Sequence, residues 1–164
     1  MSVKKMTVLS LYTAAALILF VVESVIPMPV PLPFVKLGLA NIITLIVLVC
    51  YSPKDAFLVL MLRIFLASVF YGQIVYLVYS MAGGILCFLA DVVINRLLKG
   101  KYIYITAVFG ALFHNVGQML AAFFFLGKGV LPYFPYMVLC GIITGLFTGI
   151  LANILVLRLK RLNL

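Results

Sequence analysis

Apolar residues run almost without interruption along this chain, and the breaks between the runs are short and rich in proline, glycine and lysine. The first run, 6–26, is apolar but for Glu23 and a few small polar groups. At ~1.5 Å per residue it is long enough to cross ~30 Å of hydrocarbon. It breaks at Pro27, Pro29, Pro31 and Pro33, within a Pro-rich outer loop over 27–36. Further runs follow at 37–51, 56–71, 74–98, 102–126 and 132–157. The breaks after them include Ser52-Pro53-Lys54-Asp55, Lys99-Gly100-Lys101 and Gly127-Lys128-Gly129. The pattern predicts an all-α membrane protein: a single transmembrane domain over 1–164, built as a six-transmembrane-helix bundle. The second and third runs are short, so they are expected to tilt against their neighbours or to span only in part. No internal repeat and no soluble domain is evident.

Composition sharpens this. Of the 164 residues, 67% are hydrophobic and 9% charged, against about 45–50% and about 25% in soluble domains. A soluble enzyme, a disordered chain and a nucleic-acid module are thereby excluded. The net charge of +9 looks at first like a nucleic-acid signal, but the basic residues sit at the ends of apolar runs. With the N-terminus in the cytoplasm, the inner segments hold Lys4, Lys5, Lys54, Arg96, Lys99, Lys101, Arg158, Lys160 and Arg161, the outer ones only Lys36 and Lys128. This bias follows the positive-inside rule and predicts that both termini are cytoplasmic. The first run is too long for a signal peptide and lacks a small-residue cleavage site. Cys50, Cys87 and Cys140 lack metal-ligand spacing and read as packing residues.

Catalytic and energy-transducing motifs are missing. Gly127-Lys128-Gly129 is not a Walker A loop, and the three acids, Glu23, Asp55 and Asp91, are too dispersed for a magnesium site. A single histidine, His114, excludes a two-histidine zinc motif. The expectation is a binding protein rather than an enzyme, with no cofactor, and any pumping powered by a partner or an ion gradient.

The alternating topology turns scattered polar residues into a pattern. Glu23, Lys36, Asn41, Arg63, His114, Asn115 and Gln118 all fall between the membrane middle and its outer surface. His114 and Gln118, four apart, share a helix face, and Asn115 is three from Gln118. A charge at mid-bilayer costs about 2.5–3.5 kcal/mol, so such groups face the interior, pair, or line a wet cavity. Gathering them predicts one outward-opening pocket for a small molecule, with the proline loop as a stiff lid. Structural roles stay open beside this: an Arg63–Glu23 ion pair, a snorkelling Lys36, Asn41 as a helix cap, and His114 with its neighbours as interhelical glue. Asp91 and Asn95 read as interfacial. Gly141, Gly145 and Gly149 on the last helix, and Ser10 with Ala14 on the first, form small-residue stripes suited to bundle packing or to docking a partner.

Several segments have a familiar look: Pro31 to Asn41, Leu62-Arg63, Ala82-Gly83-Gly84, and Gly110 to Gln118. They resemble the small bacterial membrane family called Gx transporters, many of whose members carry the label heptaprenyl diphosphate synthase component I. That family is similar to the substrate-binding S components of energy-coupling-factor vitamin transporters. The resemblance implies an S-component-like bundle in the bacterial cell membrane with an outward-facing pocket under the first outer loop. It implies ligand contact by Lys36, Asn41, Arg63, His114, Asn115 and Gln118, and a partner: a transmembrane coupling protein with two ATPases. It suggests a small organic substrate, anionic or amphiphilic, related to vitamins, flavins, quinones or isoprenoids. S components commonly dock through an Ala-x-x-x-Ala face, for which Ser10 and Ala14 are the nearest match here. Family members often have glycine where Phe34 stands. The alternative function is a non-catalytic membrane subunit of an isoprenoid, quinone or redox enzyme complex.

Overall fold

A computed structural model describes residues 2–26, 36–71 and 74–161. The described residues are mostly helical: α1 (Val3–Val25), α2 (Asn41–Cys50), α3 (Pro53–Tyr71), α4 (Ile74–Leu97), α5 (Ile103–Leu126), a 3-10 turn (Gly127–Tyr133) and α6 (Phe134–Arg161). The last three follow one another without a non-helical residue, so the expected six separate spans become five uninterrupted helical stretches. By length and apolarity, three stretches suffice to cross a membrane: Val3–Val25, Leu77–Leu97 and Ile103–Arg161. The proline loop, with Phe34, lies outside the described residues.

Local chemistry explains where the helices begin and end. Ser2 caps α1 by accepting from the Lys5 N–H at 3.3 Å. Ser52 accepts from the Asp55 N–H at 3.2 Å and donates to the Asp55 carboxylate at 2.6 Å, while Pro53 takes the first helical position. The α4–α5 turn uses Gly100 at φ 69°, its N–H bonded to the Asn95 carbonyl at 3.0 Å. The second helix starts four residues later than the hydrophobic run suggested. Gly38, at φ 85°, holds a turn in which its carbonyl accepts from the Asn41 N–H at 2.9 Å.

The short α2 is the hub. All residues from Asn41 to Leu48 are buried, and the helix packs against α1, α3, α4 and α6. A helix that is apolar on every side belongs inside a protein, and ten residues are too few to cross a bilayer. Around it, α4, α5 and α6 pack closely through small residues. Gly145 lies against Val108 and Gly149 against Tyr104. The glycine stripe is therefore spent on α5 of the same chain. Of the two roles open to the stripe, the structure displays bundle packing: Gly141, Gly145 and Gly149 are all buried within the bundle. Ser10 and Ala14 are exposed on the outer face of α1.

The surface is apolar and part of the interior is polar. Phe70 and Phe124 are 78% and 82% exposed, with dozens of other large apolar side chains around them, whereas Glu23, Arg63, Asp91, His114 and Gln118 are buried. Water would oppose so large an apolar surface; lipid does not. The packing also gathers basic residues at one end. Lys5 pairs with Asp55 at 2.8 Å, Tyr12 meets Tyr51 edge-on at 5.9 Å, and Leu159 lines a common surface hollow with both tyrosines. The start of α1 and α3 and the end of α2 and α6 thus share that end.

Candidate functional site

At the opposite end of α1, side chains from four helices meet around Asn41. Arg63 Nη2 donates to Asn41 Oδ1 at 2.8 Å. Asn41 Nδ2 lies 3.1 Å from His114 Nδ1. Arg63 can only donate, so the atom that it touches on Asn41 must be the oxygen. Asn41 then donates to His114 Nδ1, and the imidazole keeps its hydrogen on Nε2. Neither His114 Nε2 nor Arg63 Nε has a hydrogen-bond partner among the described residues, although both are buried. The network therefore holds two unspent donors in a place where unspent donors are costly.

The turn between α1 and α2 closes over this centre. The Gly38 N–H donates to Glu23 Oε1, and the Lys36 N–H donates to Gln118 Oε1 at 3.3 Å. The Lys36 ammonium sits 3.4 Å from the centroid of the Phe20 ring. Burial lowers Lys36 to about 8, with Glu23 pulling it back up and Arg63 adding to the fall. Two glycines flank the His114 ring. A Cβ on Gly83 would lie 2.7 Å from its Cε1 and Nδ1, and one on Gly38 would lie 3.1 Å from its Cδ2.

Of the residues expected from the sequence, Glu23, Lys36, Asn41, Arg63, His114 and Gln118 are brought together. Asn115 is not. Its Nδ2 donates to the Met137 carbonyl at 2.6 Å, because consecutive residues on a helix point about 100° apart and only His114 and Gln118 share the inward face. It ties α5 to α6. The polar side chains of this centre pack close together. What adjoins Gly38 and Asn41 is a cavity of about 20 Å³, room for about one water.

Sequence reasoning missed Gly38 and Gly83, although both lie in the segments that carry the family resemblance. It also placed Asp91 at the interface, whereas Asp91 is 2% exposed and lines the small cavity. Glycine at position 110 was the available signal. A Cβ there would come within 2.2 Å of the Asp91 carboxyl, so the carboxyl fits only because α5 has no side chain at that point.

Comparison with curated proteins and with solved structures found no match. The family model described as heptaprenyl diphosphate synthase component I matches residues 12–155. With most of its length matched, and with the apolar helices described above, the chain belongs to the heptaprenyl diphosphate synthase component I family and is a membrane-associated component.

Proposed function

We propose that this protein is a substrate-capturing membrane subunit that binds a small organic anion at the centre around Asn41. The observation that carries this reading is the excess of donors: Arg63 Nε and His114 Nε2 are buried with hydrogens to give and no acceptor among the described residues. Arg63 and Lys36 against Glu23 leave surplus positive charge in a poorly solvated place, where an anion is held strongly. A carboxylate offers two acceptor oxygens to such a set. Further parts of the reading are an S-component-like helical bundle with both termini cytoplasmic, binding from the outer side, and the Ser10 and Ala14 face of α1 docking a coupling protein with two ATPases.

Thermal unfolding of the purified protein in detergent, with a panel of vitamin, quinone-precursor and flavin-related carboxylates, tests this. A ligand-dependent rise in Tm is expected, and a folded protein that responds to none of them counts against it. The pH dependence adds a second check with opposite signs. Anion affinity should fall as pH rises through about 8, where Lys36 loses its proton. The unliganded protein should become more stable over the same rise, between about 8 and 10.5. In that window the unfolded chain binds the Lys36 proton and the folded one does not, so stability grows with pH. Lys36→Met should flatten both slopes.

The family description favours a second reading: a non-catalytic subunit beside an isoprenoid or quinone enzyme. Co-purification separates the two. ATPases with a coupling protein support uptake, whereas a prenyl or redox enzyme supports the subunit.

A further inference from the structure

The cavity of about 20 Å³ lies between α2, α4, α5 and α6. Among its lining residues only Asn41, Cys87, Asp91 and Thr148 have polar side chains. Asp91 is the singular one. It is 2% exposed, it makes no ion pair among the described residues, and its Oδ1 has no hydrogen-bond partner among them. Its Oδ2 receives a weak contact from the Cys87 thiol at 3.6 Å. Among the described residues no other charged side chain lines the cavity. The side chains facing it across the cavity are Thr148 on α6 and Asn41 on α2, with only Ala107, Gly110 and Ala111 on α5. Arg63 of α3 acts electrostatically on Cys87 but is hydrogen-bonded to Asn41. On α4 itself the next turn holds Asn95, whose Oδ1 is likewise buried and without a partner.

We infer that Asp91 is a proton-binding site: its carboxyl is neutral in the folded protein and donates its hydrogen to a single water in this cavity, which links it to Asn41 and so to the polar centre. Two structural facts and one physical principle converge on it. The cavity has the volume of about one water and borders polar groups that such a water needs. A carboxylate buried without a cation is strongly disfavoured, and taking up a proton removes the charge. The missing side chain of Gly110 leaves the room that the carboxyl occupies. A bare metal ion fits less well, because the lining side chains offer few oxygens and two of them are already engaged. Asn41 Oδ1 accepts from Arg63, and Thr148 Oγ1 donates to the Gly145 carbonyl at 3.2 Å. The site stands apart from the ligand reading above, because it makes no use of the unspent donors.

Infrared spectroscopy of the full chain in detergent or lipid tests it directly. At neutral pH the wild type should show a protonated-carboxyl C=O band that shifts in heavy water. Asp91→Asn should remove the band, and Glu23→Gln should leave it. Cys87→Ala should shift its frequency by removing the thiol contact, a readout that does not depend on Asp91→Asn folding. Absence of the band in wild type would overturn the inference. So would its survival in Asp91→Asn, its loss in Glu23→Gln, an unmoved frequency in Cys87→Ala, or its disappearance when sodium replaces potassium in the buffer, since sodium would then be the occupant.

Discussion

Arg63→Ala is expected to lower the stability of the protein by about 3–5 kcal/mol, the range for removing one member of a buried charged network. Arg63 is 4% exposed and reaches the hub helix through its 2.8 Å bond to Asn41 Oδ1. Alanine leaves that acceptor unmatched, frees the Asn41 amide to turn, and so loosens the bond that orients His114. It also strips Glu23 of a nearby positive charge. Arg63→Lys keeps the charge but offers a single ammonium where a planar fork reached Asn41, so it should recover part of the stability and little of the ligand response. Unfolding in detergent measures the first effect, and ligand-induced change in Tm measures the second. An Arg63→Ala protein as stable as wild type would show that the centre does not bind the helices together.

Gly117→Ala is expected to cost about 1–3 kcal/mol through overpacking and to disturb the site from outside it. A Cβ at Gly117 would lie 2.3 Å from the Ala82 carbonyl oxygen, 2.6 Å from the carbonyl carbon and 2.8 Å from the Gly83 Cα. Those are backbone atoms, which cannot swing aside as a side-chain tip can, so α4 and α5 must separate. Gly83 moves with α4, and Gly83 is the residue against which the His114 ring rests. Loss of stability should therefore be accompanied by loss of ligand response, although Gly117 itself contributes no side chain to the centre. Gly129→Ala serves as the control, because a Cβ there meets nothing within 4 Å. Equal Tm values for the two variants would refute the close α4–α5 contact.

The long apolar runs announced α1, α4, α5 and α6 to within a few residues. Their signal is composition over many positions, and lipid-facing surfaces do not depend on which neighbour packs where. Helix ends were less legible. The start of α2 depends on the left-handed Gly38 turn, and the continuity from α5 to α6 depends on a 3-10 turn through Pro132. Both are local backbone choices that apolarity does not encode. The rarity of polar residues in an apolar chain pointed to Glu23, Lys36, Asn41, Arg63, His114 and Gln118, because lipid forces such groups inward.

Apolarity along the chain is enough to specify a helical protein whose few buried polar groups must find partners, since the cost of leaving them in hydrocarbon acts whatever the fold. Which partners they find is set by how the helices pack. That packing joined Arg63 to His114 through Asn41, turned Asn115 away to α6, spent the glycine stripe on α5, and buried Asp91 against Gly110. Those outcomes depend on the rotation and spacing of helices distant in sequence, and on side-chain contacts of a few ångströms that no single run of residues contains.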